Sequence, residues 1–111
     1  MNSGDIILID FPFTVPTQSK VRPAVVITET RDKYNNLVVC AISSVLPPAI
    51  TGREILISKN DPAFSATGLR ADSVIKIDRI ATLRQSDVIT KLGHCEPALW
   101  DEIRNKFRNL V

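Results

Sequence analysis

The sequence predicts a mainly β fold, a small antiparallel barrel or half-open sheet that ends in one α-helix. Successive β-type segments are joined by loops, helical periodicity is clear only near the C-terminus, and the alternating rhythm of βαβ proteins is absent. A length of 111 residues corresponds to a single domain, residues 1–111. We therefore expect one core, with function carried by the loops at the strand ends.

Three strands are predicted in the first half of the chain, where aliphatic and aromatic runs are separated by turn-forming segments. Strand one covers Asp5 to Phe13, and Pro12 near its end indicates the rim of a sheet. A polar loop over Thr14 to Val21 leads to strand two, Pro23 to Thr28, and strand three covers Leu37 to Ser43. The turn material between the last two strands predicts an antiparallel order.

The second half of the chain predicts further short strands. Glu54 to Ile57 is a strand candidate, and Asn60 to Arg70 is expected to be loop. Val74 to Leu83 alternates with the two-residue period of a strand. Ser86 to Val88 is expected to form a helical turn, and Ile89 to Cys95 is ambiguous, with a short strand as the preferred interpretation.

One helix is predicted at the end of the chain. Pro97 suits the first helical position, and basic residues are concentrated in the last turns, where they complement the helix dipole. Apolar residues at helical spacing form a stripe that is expected to pack against the sheet: Leu99, Ile103, Phe107 and Leu110.

Composition sets limits on partners and compartment. The sequence is 44% hydrophobic and 23% charged, which is typical of a globular domain rather than a disordered chain. Its 14 Lys plus Arg and 12 Asp plus Glu give a net charge of +2, so any nucleic-acid site must be local. The apolar runs are strand-sized, and we predict no signal peptide, no membrane span and a cytoplasmic location.

The few candidate metal ligands do not form a recognisable set. Cys40 lies inside an apolar run and is interpreted as a small buried hydrophobe, so a disulfide is not expected. His94 and Cys95 are adjacent, but no second Cys or His stands at a ligand spacing that would close a tetrahedral site. Neither a metal nor another cofactor is predicted.

Several segments, taken in order, carry a family resemblance over roughly the first four-fifths of the chain. They are Gly4 to Phe13, Val21 to Ile27, Leu37 to Ser44, Thr67 to Leu69 and Ser73 to Asp78. Together they resemble MazF/PemK toxins. The resemblance implies an SH3-like antiparallel barrel (MazF/Kid/CcdB-like) with a C-terminal helix. It also implies a homodimeric toxin that cleaves single-stranded RNA selectively and is silenced by a cognate antitoxin.

Arg22 is the first candidate catalytic residue. RNA is cut without a metal when the ribose 2′-hydroxyl attacks the adjacent phosphate, which requires a base, an acid and a cation near the phosphorane. Because Pro23 biases Arg22 towards an extended conformation, the pair belongs where a loop meets a strand. A guanidinium there can hold two phosphate oxygens. The alternative is a solvated loop arginine, and the resemblance favours the catalytic role.

The resemblance places Ser43 where many of these toxins carry a catalytic threonine. A serine hydroxyl can also donate to a phosphate oxygen, but it lacks the methyl group that restricts the first side-chain torsion. Ser44 would face the opposite side of the strand and is a second candidate donor that we assign to RNA binding. Ordinary capping of the strand end is the alternative for both serines.

Lys76 and Asp78 stand two residues apart on a predicted strand, which places them on one face with roughly 7 Å between them. In Kid-type members a basic and an acidic residue at the matching positions have acid and base roles, although an arginine stands there in place of Lys76. A cross-strand ion pair on an exposed face is an equally good interpretation. We assign three further basic residues to RNA binding: Lys20, Arg70 and Arg79.

Two other residues are considered and set aside. His94 has the side chain best suited by its pKa to acid or base chemistry, but it lies outside the matched segments. Trp100 is interpreted as packing or dimer-interface surface.

Two alternative functions stay open on the sequence. The first is a CcdB-like toxin that binds gyrase without enzymatic activity, and the second is an inactive relative that binds RNA, suggested by Ser43 and Lys76.

Overall fold

Six antiparallel strands form one sheet in the order β4-β5-β3-β2-β1-β6. The strands are β1 (Asp5–Asp10), β2 (Val21–Glu29), β3 (Leu37–Ser43), β4 (Glu54–Ile57), β5 (Ser73–Leu83) and β6 (Val88–His94). A one-turn helix α1 (Phe64–Thr67) precedes β5, a 3₁₀ turn (Gln85–Asp87) precedes β6, and helix α2 (Pro97–Arg108) ends the fold. The computed structural model describes residues 1–10 and 21–111.

The predicted mainly β architecture with a C-terminal helix is confirmed. The sheet is not closed into a barrel, since β4 and β6 are its two edges and do not pair with each other in the described part of the chain. Strand β4 has only four residues, and helix α2 packs on the buried residues of one face of the sheet.

The predicted element bounds differ from the observed ones at a few places. Strand β2 begins at Val21, two residues before the predicted start. Residues 11–13 of predicted strand one lie outside the described residues. The predicted loop over Asn60 to Arg70 contains helix α1, which a single turn without apolar periodicity does not reveal in the sequence. The ambiguous segment Ile89 to Cys95 is largely strand β6.

Both faces of the sheet are apolar. One face carries the helix-side cluster, whose buried members are Ile6, Val25, Cys40, Ile42, Ile55, Ile57, Ile75, Ile77, Cys95, Leu99 and Ile103. The opposite face carries the far-side cluster, formed by Ile7, Ile9, Ala24, Val26, Leu37, Val39, Ala41, Ala81 and Leu83. Because successive strand residues point to opposite faces, runs of consecutive aliphatic residues in β1, β2 and β3 supply both clusters at once.

A bulge in β5 lets that strand contribute to both clusters in turn. Three residues, Ile77–Arg79, have no partner on β3 in the strand register. On a regular strand, residues 75 and 81 would share a face, because six positions is an even number of steps. Instead Ile75 lies in the helix-side cluster and Ala81 in the far-side cluster. The bulge therefore reverses the face of β5 along its length.

Helix α2 packs on the helix-side cluster through Leu99 and Ile103, as its apolar stripe predicts. Pro97 occupies the start of the helix, and Lys106 and Arg108 lie in its last turn. No helix in the described ranges is both long enough and apolar enough to cross a membrane.

The buried carboxylate of Asp5 ties the N-terminus to β6. The backbone N–H of Asn2 donates to one carboxylate oxygen at 2.7 Å, and Nζ of Lys91 lies 3.2 Å from the other. A buried charge is tolerated only when it is paired and hydrogen-bonded in this way. Beside it, Trp100 packs on Gly4, where an added Cβ would lie 3.5 Å from the indole ring. The Gly4-Asp5 start of the family resemblance therefore has a structural role.

Two free cysteines lie in the helix-side cluster. Burial raises the pKa of Cys40 to about 12, with a smaller contribution from Cys95. Burial also raises the pKa of Cys95 to about 12, and the charge of Asp5 adds to this. Both thiols are therefore protonated and unreactive at neutral pH.

Two glycines allow α1 to touch β6 backbone to backbone. A Cβ on Gly68, whose φ is +72°, would lie 2.1 Å from the carbonyl oxygen of Leu92. A Cβ on Gly93 would lie 2.2 Å from the carbonyl oxygen of Ala66. Neither position can hold a larger residue without moving backbone, so these contacts determine where the segment after α1 lies.

We expect Gly93→Ala to lower the free energy of unfolding by about 1–3 kcal/mol, because the added methyl group overpacks a contact between two backbones. The matched control is Gly52→Ala, where an added Cβ meets nothing within 4 Å. That control should change stability by less than about 0.5 kcal/mol. Urea unfolding followed by circular dichroism measures both, and equal midpoints would contradict the tight packing of α1 on β6.

Candidate nucleic-acid interface

A cleft of about 460 Å³ opens where β1, β2 and β3 meet the segment that follows α1. Strand ends form one side, and residues 68–73 together with β6 form the other. The lining residues are Leu8, Val21, Arg22, Pro23, Ile42, Ser44, Gly68, Leu69, Arg70, Ala71, Ser73 and Leu92. Three of the residues predicted from the sequence, Arg22, Ser44 and Arg70, thus meet at one cleft.

Arg22 lies at the rim, as the Arg-Pro pair predicts. It is the second residue of β2, is half-buried, and pairs with Ile9 of β1. By the two-residue period it shares a face of β2 with Ala24, which belongs to the far-side cluster. Since Arg22 also lines the cleft, it stands where the far face of the sheet meets the cleft.

The two serines occupy different environments. The Ser43 hydroxyl accepts a hydrogen bond from the backbone N–H of Val45 at 3.1 Å and makes a longer bond of 3.5 Å to the Val45 carbonyl oxygen. It therefore helps to turn the chain as β3 ends, which is the capping alternative considered for it. Ser44 is exposed and lines the cleft, whereas Ser43 is not among the lining residues.

Lys76 lies on the far face of the sheet close to Ser43. Ser43 pairs with Val74, so Lys76 is its diagonal neighbour, a relation that corresponds to about 7–8 Å between Cα positions. Lys76 is half-buried and stands opposite Glu54 of β4. The pKa of Glu54 lies below its usual value, mainly because the Thr51 N–H donates to it, with a smaller contribution from the charge of Lys76. Glu54 and Lys76 are thus cross-strand neighbours, but their charged groups are not among the ion pairs formed by the described residues.

Asp78 and Arg79 are exposed residues of the β5 bulge. Asp78 lies inside the bulge, so the regular alternation on which its predicted same-face relation with Lys76 rests is interrupted there. Its carboxylate lies 3.9 Å from the guanidinium of Arg53. Neither Asp78 nor Arg79 lines the cleft.

Arg70 is exposed on the segment after α1 and lines the cleft opposite the strand ends. The two arginines of the cleft therefore come from β2 and from that segment, which are distant in sequence. The predicted RNA-binding residue Lys20 lies outside the described residues.

The residues set aside in the sequence lie away from the cleft lining. His94 is exposed, with its Nε2 atom 3.4 Å from a carboxylate oxygen of Glu96. Trp100 packs against Gly4, in agreement with the packing interpretation. Among the residues that the structure describes, no group of three or more His, Cys, Asp or Glu side chains is arranged to hold a metal ion.

Apart from Arg70, the residues of the opposite wall of the cleft were not predicted as functional from the sequence. Leu69, Ala71 and Leu92 have no polar groups in their side chains, and nothing in their local pattern marks them as functional. The Thr67-Gly68-Leu69 segment is the one available signal, because it belongs to the family resemblance and Gly68 needs a positive φ.

A second groove of about 340 Å³ lies between β4 and α2. It is lined by apolar side chains and by two acidic ones, Asp61 and Glu102, and by none of the predicted site residues that the structure describes. Carboxylates repel the phosphates of RNA, whereas the described lining of the first cleft contains two arginines and no carboxylate. The first cleft is therefore the candidate interface.

Solved structures share this fold at low sequence identity. Mycobacterium tuberculosis toxin MazF-mt6 superposes with a TM-score of 0.70 at 18% identity, over 95% of this chain and 93% of that chain. Deinococcus radiodurans MazF gives a TM-score of 0.70 at 19% identity, over 99% of this chain and 94% of that chain. An endoribonuclease in complex with its cognate antitoxin, from a mycobacterial species, gives a TM-score of 0.69 at 15% identity, over 96% of this chain and 89% of that chain. At such low sequence identities, the similarity to these structures shows that this chain shares their fold.

The family itself is shown by the sequence. A comparison with curated proteins finds no match. Residues 2–111, nearly the whole chain, match the family described as PemK-like, MazF-like toxin of type II toxin-antitoxin system. The chain therefore belongs to the PemK-like, MazF-like family of type II toxins.

Proposed function

We propose that this toxin is a cytoplasmic, metal-independent endoribonuclease that cleaves single-stranded RNA at selected sequences. The observation that carries the proposal is the position of Arg22. It lines a cleft with Arg70 and Ser44, and it shares a face of the sheet with Lys76. Positive charges at the cleft and on the adjoining face of the sheet, both near the start of β2, are suited to bind the phosphates of a single-stranded RNA whose bases are exposed.

The proposed reaction is an intramolecular transesterification. The ribose 2′-oxygen attacks the adjacent phosphorus while its proton passes to the carboxylate of Asp78. The bond from phosphorus to the 5′-oxygen breaks, and Lys76 supplies the proton that this oxygen needs. Arg22 stabilises the negative charge that accumulates on the phosphorane oxygens. The products are a 2′,3′-cyclic phosphate and a 5′-hydroxyl.

Ser43 and Ser44 have different roles in this proposal. Ser43 holds the turn after β3 through Val45, so it positions the end of the strand beside the scissile phosphate. Ser44, Arg70 and Arg79 contact the RNA on either side. We include Lys20 among the RNA-binding residues on the sequence alone.

We further propose that the toxin acts as a homodimer and is inhibited by a cognate antitoxin. Antitoxin complexes are known for the structurally similar endoribonuclease of a mycobacterial species and for Deinococcus radiodurans MazF. Three apolar side chains on the loop after β3 support contact with another protein chain: Val45 is 73% exposed, Leu46 44% and Ile50 44%. Membership of the PemK-like, MazF-like family does not favour the gyrase-binding alternative.

Cleavage of a long single-stranded RNA should proceed in EDTA, because the proposed acid, base and cation are all side chains of this protein. The fragments should carry a 5′-hydroxyl and a cyclic or 3′-phosphate, which end-labelling and mass spectrometry identify. A strict requirement for Mg²⁺, or 5′-phosphate ends, would contradict the mechanism. Binding of intact RNA without any cleavage would support the inactive relative instead.

Arg22→Ala should lower the cleavage rate roughly a hundredfold, the loss expected when one charged contact to the developing negative charge is removed. The melting temperature should hardly change, because Arg22 is half-buried at the rim and its truncation opens no cavity in either cluster. Arg22→Lys should restore activity only in part, since an ammonium group lacks the two-pronged geometry.

The matched control for Arg22 is Arg31→Ala, which removes the same charge from the exposed turn after β2. The control should cleave RNA at close to the wild-type rate. If both alanine variants lose activity equally, Arg22 acts through net charge and not through a positioned contact.

Lys76→Met should reduce kcat by about a hundredfold if Lys76 protonates the leaving oxygen, while KM for RNA changes little. Lys59→Met, which removes an exposed lysine from the loop after β4, is the control and should behave like the wild type. A Lys76→Met variant with normal kcat and raised KM would assign Lys76 to binding.

A further inference from the structure

We infer that the groove between β4 and α2 is a docking site for an extended segment of another protein, rich in lysine or arginine, which adds to the sheet as a strand beside β4. The groove and the cleft that carries Arg22 have no lining residue in common, so the inference does not depend on the proposed nuclease activity. It is supported by the open edge of β4, by the apolar lining of the groove and by the charge of the groove.

The outer edge of β4 offers backbone groups to a further strand. The N–H of Ile77 donates to the carbonyl oxygen of Arg53 at 3.0 Å, which identifies a position whose backbone groups face β5. Because the two sides of an antiparallel strand alternate, Leu56 directs its N–H and its carbonyl oxygen to the open side. Glu54 directs its carbonyl oxygen there as well, whereas its N–H donates to the carbonyl oxygen of Thr51 at 3.2 Å. A short strand can therefore be added through these three groups.

The sequence of β4 does not block such an addition. The strand Glu54–Ile57 contains no proline and no lysine, and its pairing with β5 is regular, without a bulge. Proline, lysine and bulges are devices that commonly protect the edge of a sheet. The side chain of Leu56 is also 44% exposed at this edge. Only the shortness of β4 limits its pairing with another chain, so the groove beside the edge has to supply part of the binding energy.

That groove has a mostly apolar lining and a volume of about 340 Å³. Its apolar residues are Leu56, Ile57, Pro62, Ala63, Ala98 and Leu99. By strand alternation, every second side chain of an added strand points to the side of the sheet on which Ile57 packs, and that side carries the groove. The aliphatic stem of a lysine or arginine can cover such a surface while its charged end stays in water.

Two carboxylates make the groove complementary to a basic segment. Asp61 and Glu102 line it, and the described lining contains no basic side chain. Neither carboxylate takes part in an ion pair formed by the described residues, whereas Asp101, the neighbour of Glu102, pairs with Arg104. The N–H of Ser58 donates to Asp61 at 3.0 Å and fixes this carboxylate just after β4. Cationic side chains of an added strand therefore meet two acidic groups that are not neutralised within the fold.

The same charges disfavour other occupants of the groove. The phosphates of RNA and the side chains of an acidic peptide are repelled by Asp61 and Glu102. A second copy of this chain that paired β4 with β4 would bring the carboxylates of both copies together, and like charges brought together at an interface are unfavourable. A basic segment of a different protein is the occupant that these residues favour.

The test uses three synthetic peptides and NMR of the ¹⁵N-labelled full chain. The first is a blocked heptapeptide that alternates lysine with valine, and the second has glutamate in place of each lysine. The third is the lysine peptide with N-methyl groups on its central residues, which removes the donors that an added strand needs. We expect the lysine peptide to bind about tenfold more tightly than either of the others, since it alone combines charge and backbone complementarity. Amide shifts should be concentrated in residues 54–57, 61–63 and 98–102.

The double variant Asp61→Asn/Glu102→Gln should bind the lysine peptide about tenfold more weakly, because two exposed ion pairs are lost. An asparagine at position 61 can still accept from the N–H of Ser58, so the turn after β4 is preserved. The matched control is Glu29→Gln/Glu96→Gln, which removes two carboxylates that do not line the groove. That control should bind the peptide as the wild type does.

Several results would overturn the inference. They are equal affinities for the lysine and glutamate peptides, undiminished binding of the N-methylated peptide, shifts outside the groove, equal losses in the two double variants, and no binding at millimolar peptide. Displacement of the lysine peptide by single-stranded RNA would make the groove part of the RNA site. Shifts of residues 54–57 that depend on protein concentration without peptide would assign the edge to a second copy. Either of these two results would also overturn it.

Discussion

The break in pairing between β3 and β5 at Ile77–Arg79 allows one strand to serve both hydrophobic clusters, and the arrangement of the sheet depends on it. A regular strand of the same length would present one side throughout. Because the strand changes face at the bulge, the first half of β5 contributes to the helix-side cluster together with α2. The second half contributes to the far-side cluster together with residues of β2 and β3. Both faces of the central strands are thereby buried, and polar residues that could bind a ligand are concentrated at the strand ends and on the loops.

The rim formed by those strand ends is where the chemistry is concentrated. Pro23 requires the chain to enter β2 in an extended conformation, so Arg22 is held at the edge of a rigid sheet and not on a free loop. Across the cleft, the glycine contacts between α1 and β6 bring Arg70 within reach of the same space. Two separate packing constraints thus place two cations around one concave surface, although the chain as a whole carries a net charge of only +2.

The sequence predicts most of the fold because its signals are local. Alternation in residues 74–83, the turn material between strands and Pro97 each depend on neighbouring residues, and each element is found close to its predicted place. The cleft is harder to predict, since its walls join residues such as Leu8 and Leu92 that meet only through strand pairing. The bulge is likewise invisible in the sequence, because Asp78 and Arg79 fit a regular exposed edge as well as an unpaired turn. Resemblance to a family identifies Arg22, while only the structure shows that Ser44 lines the cleft and Ser43 turns the chain.

The claim that RNA binds at the rim around Arg22, between the cleft and the face of the sheet that carries Lys76, can be tested by ultraviolet cross-linking. A 2′-O-methyl RNA that contains 4-thiouridine is irradiated with the wild-type protein, and the cross-linked peptides are identified by mass spectrometry. We expect adducts on both walls of the cleft, within residues 21–23 and 68–71, and on the segment of residues 43–45. Cross-links confined to the acidic groove between β4 and α2, near Asp61 and Glu102, would contradict the account.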